Sequence, residues 1–181
     1  MDKSKLIEEL IGIVGKEDVL YSRRDLLVYE YDGTPDTSMP EVVVFPMDAS
    51  EVSAIHRLAT HEGIAITPRG AGTNLSGGTV PLGGGIVIVL TRMNKVRNVD
   101  VASQRAVVEP GLVNLEFQNF LAPLGYIYAP DPASQKVSTL GGNLGENAGG
   151  PHCFKYGITT HHIYGLEFVL PSGEVVHTGG S

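Results

Sequence analysis

The stretch EVVVFPMDASEVSAIHRLATHEGIAITPRGAGTNLSGG, Glu41 to Gly78, decides the fold. It opens with EVVVF (Glu41–Phe45), a continuous apolar run ended by Pro46, which reads as a buried strand. From Ser50 onward Val52, Ile55, Leu58 and Ala59 mark one helical face, and Gly63 closes the helix. IAIT (Ile64–Thr67) is a second strand, ended by Pro68. Strand, helix and strand with short links predict a parallel crossover unit.

Upstream, Leu6, Ile7, Leu10, Ile11 and Val14 recur at helical spacing and Gly15 stops the run. A second short helix begins at Ser22, with Asp25 as a capping-box acid. Tyr29 to Pro40 is turn-rich and reads as an exposed connection. Downstream, IVIVL (Ile86–Leu90) is another buried strand, and VRNVDV (Val96–Val101) with RAVVE (Arg105–Glu109) forms a hairpin. Leu115, Phe117, Phe120, Leu121 and Leu124 predict a helix stopped by Gly125, followed by an irregular stretch from Ala129 to about Gly157. Two strands, Ile163–Leu170 and Glu174–Thr178, finish the chain around Pro171-Ser172-Gly173. The class is α+β (mixed α/β). A small parallel βαβ lobe covers about residues 1–90, and a larger, mainly antiparallel lobe with flanking helices covers about 91–181. The ending at Ser181, directly after a strand, leads to the expectation of a truncated domain with exposed apolar surface that self-associates.

Composition narrows the function. The 181 residues carry a formal net charge of −7, which argues against a general nucleic-acid binder. With 42% hydrophobic and 18% charged residues, the chain is not intrinsically disordered. A single cysteine, Cys153, permits no internal disulfide, so a reducing, cytoplasmic compartment is expected. The N-terminus is not a signal peptide, and no run is long and apolar enough for a membrane span. Association with the inner membrane would come through a partner.

Glycine is the outlier, and 13 of the 23 glycines fall in residues 63–85 and 141–150. The first cluster, PRGAGTNLSGG (Pro68–Gly78), follows a strand. Its main-chain N–H groups suit an anion nest, with Thr73, Asn74 and Ser76 as short donors and Arg69 as a positive charge. Pyrophosphate fits such a loop; the alternative is a plain surface turn. Neither standard phosphate motif is present: Gly15-Lys16 is followed by Glu17, and Gly70-x-Gly72 has Leu75 where the dinucleotide fingerprint needs glycine.

The second cluster is SQKVSTLGGNLGENAGGP (Ser134–Pro151), preceded by APDP (Ala129–Pro132). Ser138 and Thr139 would cap a short helix starting at the glycines, and Asn143 and Asn147, four apart, would share one helix face suited to a heteroaromatic ring. The alternative is a close helix pair. Two such clusters favour one large bipartite ligand.

PRGAGTNLSGG, PDP, TLGGNLGENAGGP, KYG (Lys155–Gly157) and HIYGLEFVLPSGEVV (His162–Val176), in that order, resemble the flavin domain of the vanillyl-alcohol oxidase/p-cresol methylhydroxylase (PCMH) superfamily. The match is closest to the branch of FAD-linked glycolate, D-lactate and D-2-hydroxyglutarate dehydrogenases, and it runs from about Glu41 onward. The resemblance implies a two-lobed PCMH-type fold and FAD as cofactor. Arg69, Gly70, Ala71, Gly72, Thr73, Asn74 and Ser76 would wrap the pyrophosphate. Thr139, Gly141, Gly142 and Asn143 would line the ribityl and isoalloxazine region, continued by Asn147, Gly149 and Gly150. Pro130 and Asp131 would form the turn beside the cofactor, and Ile163 would approach the adenine by its backbone. Residues 68–78 contain no His or Cys for a covalent tether, so FAD would be held non-covalently.

The activity implied is oxidation of a small 2-hydroxy acid, with the hydroxyl proton going to a base and the α-hydride to flavin N5. Electrons would leave through an electron-transfer subunit, quinone or carrier. Full family members continue into a further cofactor-contacting segment and a substrate cap, which carry the substrate-orienting and catalytic groups. No catalytic residue is therefore assigned, and this portion alone is expected to be inactive. The rival readings are other flavin chemistry on the same fold, such as an enolpyruvyl-sugar reductase or oligosaccharide oxidase, and a non-catalytic FAD-binding fragment. His161-His162 would point to opposite faces of a strand, and His56 and His61 are five apart, so no metal site is expected. Cys153 beside His152 lacks an orienting acid nearby in sequence, and Tyr126 and Tyr128 read as core.

Overall fold

The structure, a computed structural model, describes residues 2–179. The chain forms two compact units, one running to Arg92 and resuming at Tyr164, the other spanning Met93–Ile163.

The first unit begins with α1 (Lys3–Val14), whose N-terminus is capped by the Asp2 side chain accepting from Ser4 N. It buries Leu6, Leu10 and Val14. β1 (Val19–Leu20) and α2 (Arg23–Leu26) follow, the latter capped by Ser22 as the sequence predicts. β2 (Val42–Val44) is fully buried. In α3 (Ala49–Glu62) the Asp48 carboxylate accepts from Ser50 N at 2.8 Å and Glu51 N at 3.0 Å, so the helix starts one residue before the expected Ser50. β3 (Ile66–Arg69) and β4 (Ile86–Val89) complete the sheet.

The sheet order is β1-β2-β4-β3, with β1 antiparallel and the other pairs parallel. Thus β4 lies between the two strands that α3 links. Its four residues are all buried, which suits a central position with both faces covered. Alternate side chains divide between two cores. Val42, Val44, Ile86 and Ile88 pack with α1 and α3. Val43, Val87 and Val89 pack with Leu26, Tyr29 and Phe45 on the other face. β3 is an edge strand, so it continues through Pro68, which has no N–H to lose from an inner ladder.

The second unit holds the bulged hairpin β5 (Val96–Asp100) and β6 (Arg105–Val108), then α4 (Asn114–Leu121), α5 (Leu140–Gly145) and α6 (Cys153–Tyr156). Its core joins Leu112, Phe117, Leu121 and Leu140, with Tyr126 and Tyr128 packed against it. The final hairpin, β7 (Gly165–Val169) with β8 (Val175–Gly179), belongs to the first unit. The sequence reading carries the second lobe to the chain end. Instead, Ser53 and Thr60 on α3 donate their hydroxyls to the Gly173 and Pro171 carbonyls of the hairpin turn.

Candidate functional site

β3 delivers the chain into the first glycine loop at Arg69, which is only 7% exposed. Its Nη1 donates to the Tyr31 carbonyl at 2.7 Å and to Thr79 Oγ1 at 3.4 Å, and Nη2 donates to the Val28 carbonyl at 3.5 Å. The guanidinium carbon sits 5.6 Å from the Tyr29 ring centroid. Burial lowers the Arg69 pKa and raises that of Tyr29. The charge expected at the loop mouth is therefore an internal strut. Gly72 has φ +69°, and a Cβ there would lie 2.2 Å from Arg69 Nη2, so only glycine fits over the guanidinium.

The strut continues into a buried polar network. Asp32 Oδ1 accepts from Thr34 N at 2.8 Å and Thr34 Oγ1 at 2.6 Å, while Oδ2 accepts from Asn74 Nδ2 at 2.6 Å. Asn74 Oδ1 accepts from Thr79 Oγ1 at 3.0 Å, and the Asn74 carbonyl accepts from Gly33 N at 2.9 Å. Burial pushes the Asp32 carboxyl up, but hydrogen bonds from Thr34, Asn74 and the Thr79 backbone outweigh it and hold the pKa below the ordinary value. Among the described residues, the backbone N–H groups of Gly70 to Leu75 donate to no backbone carbonyl. Ala71, Thr73, Leu75 and Ser76 are exposed. The loop thus carries a row of main-chain donors without backbone acceptors, above a hydrogen-bonded base.

The second cluster lies in the other unit. Thr139 caps α5, its Oγ1 accepting from Gly142 N at 3.2 Å. Gly141 N donates to the Pro110 carbonyl at 2.8 Å and Leu140 N to that of Leu112 at 2.8 Å. α5 ends at Gly145, and Asn147 adopts φ +51° beyond it. Asn143 and Asn147 therefore do not share a helix face, because the short run with its three glycines ends first. Asn147 Oδ1 instead accepts from Thr160 N at 3.2 Å. Asn143 is 3% exposed and its Nδ2 has no protein partner among the described residues; the same holds for Ser138 Oγ, in a residue 4% exposed.

Asp131 and Gly150 meet directly. A Cβ on Gly150 would come within 2.3 Å of both the Asp131 carbonyl oxygen and Oδ1. Asp131 Oδ1 accepts from His152 N at 3.0 Å, and Oδ2 faces His152 Nδ1 at 3.2 Å. The preceding segment hangs from α4: Asn114 Nδ2 donates to the Pro130 carbonyl at 3.1 Å, and Gln118 Oε1 accepts from Tyr128 N at 3.0 Å. Gly149 lies against Cys153 and Ile158. Ile163 is half-buried and ends the 3₁₀ turn Thr159–His162. His161 and His162 thus lie in that turn and not on a strand; His161 Nδ1 accepts from Ile158 N at 3.2 Å. Tyr128 is half-buried beside Thr159, and burial raises its pKa.

Sequence reasoning missed Asp32, Thr79, Asn114 and Gln118. Asp32-Gly33-Thr34 does carry a local turn signal, since Asp binds the backbone two residues on. Its partner Asn74, 42 positions away, leaves none. Among the described residues no helix is long and apolar enough to cross a membrane.

Residues 40–179 match the FAD binding domain family. The chain is 42% identical over 174 residues to glycolate oxidase subunit GlcD of Bacillus subtilis, covering 96% of this chain and 37% of that protein. It is 38% identical over 142 residues to a D-lactate dehydrogenase of Anaerostipes hadrus, covering 78% of this chain and 30% of the relative. The chain thus spans little more than a third of the glycolate oxidase subunits it matches. A p-cresol methylhydroxylase structure superposes with TM-score 0.86 at 23% identity, over 97% of this chain and 35% of the other, which shows a common fold. Each cluster by itself has groups that suit part of a flavin dinucleotide: the first has main-chain donors without backbone acceptors, which suit a phosphate, and the second has a buried, unpartnered amide on Asn143, which suits a polar ring. With both glycine loops inside the matched span, the chain belongs to the FAD binding domain family, has the PCMH-type fold and takes FAD as its cofactor.

Proposed function

We propose that the chain is the FAD-binding portion of a flavin-dependent 2-hydroxy-acid dehydrogenase of the glycolate or D-lactate type. The observation that carries this is the 42% identity to a glycolate oxidase subunit, which includes both loops. Bound FAD supplies the two-electron acceptor for the hydrogen on the substrate α-carbon. The protein's part is to bind and orient that group. In our reading the N–H row of Gly70 to Leu75, with the Ser76 hydroxyl, receives the diphosphate. Arg69 and Asn74 act from beneath by holding the loop, since their polar groups face inward. Thr139, Gly141, Gly142, Asn143, Asn147, Gly149 and Gly150 hold the ribityl and ring portion, Pro130 and Asp131 set the adjacent turn, and the Ile163 backbone meets the adenine. Asn143 Nδ2 donates to a ring acceptor. FAD is held without a covalent bond. The substrate-binding and catalytic groups come from outside these residues, and electrons pass to a further subunit or carrier.

The test is a titration of the purified chain with FAD, FMN and NAD in parallel, followed by flavin absorbance and fluorescence quenching. Saturable binding of FAD with no binding of NAD supports the assignment. A chain that binds NAD and not FAD refutes it. For the substrate class, the complete protein is assayed with glycolate, D-lactate and D-2-hydroxyglutarate; reduction of the flavin by none of them refutes the hydroxy-acid reading.

A further inference from the structure

We propose that Asp32 is the positioning residue of the first glycine loop, acting through Asn74 to hold the open N–H row of Gly70 to Leu75 in its ligand-binding arrangement. The inference rests on the flavin reading above. Asp32 lies outside the 40–179 span of the family match, in the connection between α2 and β2. It is nonetheless 6% exposed, where a carboxylate persists only if its lone pairs are satisfied. They are: two donors from Thr34 occupy Oδ1, and the Asn74 amide occupies Oδ2. The pairing fixes which way the Asn74 amide faces, because Nδ2 must point at Asp32 and Oδ1 at the Thr79 hydroxyl. Thr79 Oγ1 in turn meets Arg69, and the Asn74 carbonyl takes the Gly33 N–H. The two ends of the loop and its middle are thereby tied to one carboxylate.

This arrangement has an electrostatic consequence. The Arg69 charge and the Asp32 charge are both held inside the network, so the loop offers an anion neutral main-chain donors and no free side-chain cation. The precision of those donors then depends on the base beneath them.

The experiment compares wild type with Asp32→Asn, which keeps the size and loses the charge. Two quantities are read: FAD affinity by fluorescence quenching, and amide exchange of Gly33 in the flavin-free chain. Exchange of Val43 and Val87, in the sheet core, serves as the internal reference. Losing a charge-assisted bond predicts FAD binding weakened roughly 10- to 100-fold, with Gly33 exchange accelerated by a similar factor. Val43 and Val87 keep their protection. An affinity and a Gly33 exchange rate both equal to wild type overturn the proposal, as does equal acceleration at all three amides, which marks general destabilisation. A wild-type chain that binds NAD and not FAD sinks the flavin reading alone, and Gly33 exchange then decides the role of Asp32. Should Asp32→Asn fail to fold, Thr79→Val removes the hydroxyl linking Asn74 to Arg69. The same local changes then support the proposal and unchanged values overturn it.

Discussion

Replacing Gly150 by alanine adds one methyl group at the tightest point of the second glycine loop. That carbon would stand 2.3 Å from the Asp131 carbonyl oxygen and 2.5 Å from its carbonyl carbon. Non-bonded carbon contacts settle at about 3.5–4.0 Å, so one segment has to retreat by roughly 1 Å. Rotating the Asp131 side chain relieves only the Oδ1 contact, because the carbonyl oxygen, just as close, and the carbonyl carbon are backbone. Nor is the Asp131 segment free to move, since Asn114 holds Pro130 and Asp131 holds His152 N. Overpacking of this kind costs about 1–3 kcal/mol. Gly145 is the control: it is exposed, at the end of α5, and an added Cβ meets nothing within 4 Å. Alanine there gains up to ~1 kcal/mol of helix propensity. The chain has seven tyrosines and no tryptophan, so tyrosine fluorescence during urea unfolding reports on the second unit through Tyr126 and Tyr128. With a slope of about 2 kcal/mol/M, Gly150→Ala shifts the midpoint down by roughly 0.5–1.5 M. FAD affinity falls alongside it. A Gly150→Ala midpoint at or above that of Gly145→Ala refutes the argument.

Three further outcomes follow from the first unit. Asp32, with its pKa held low, contributes stability that is present above the ordinary carboxyl value and is lost as pH falls through the folded one. The melting-temperature gap between wild type and Asp32→Asn therefore stays constant from pH 7 to about 5 and narrows progressively once the pH falls below about 4; a gap that widens as the pH falls from 7 to about 4 contradicts this. Arg69→Lys keeps the charge but cannot reach three acceptors and stack on Tyr29, so it costs about 1–3 kcal/mol, and an unchanged melting temperature contradicts the strut role. Ile55→Ala, at a fully buried position of α3, costs about 2–5 kcal/mol, whereas Leu75→Ala, at 80% exposure, changes denaturation little; comparable losses contradict the core assignment.

What the sequence made legible was the local pattern. The runs at Val42–Val44 and Ile86–Val89 and the helix between Ala49 and Glu62 announce themselves through periodicity and caps. The glycine clusters likewise stand out, because close backbone approach leaves a compositional mark. The order of strands was not legible, since β3 and β4 are both short apolar runs, and only the packing of both faces puts β4 inside. Asn147 looked helical by spacing, yet a six-residue helix with three glycines does not reach it. The inward turn of Arg69 escaped notice for a general reason. A sequence shows that a cation is present but not which carbonyls it faces, and here those carbonyls belong to Val28 and Tyr31, in a stretch that read as exposed connection.

The four-stranded sheet has a consequence for how chains meet. Its outer strands are β1, two residues long, and β3, which carries Pro68. A strand that short offers a neighbour almost no ladder, and proline withholds a donor from the other side. Neither margin can template the addition of a foreign strand, so growth of this sheet from one molecule into the next is blocked at both ends. Self-association by way of this sheet is left to side-chain contacts, and backbone pairing between molecules is open only to the two hairpins, β5-β6 and β7-β8.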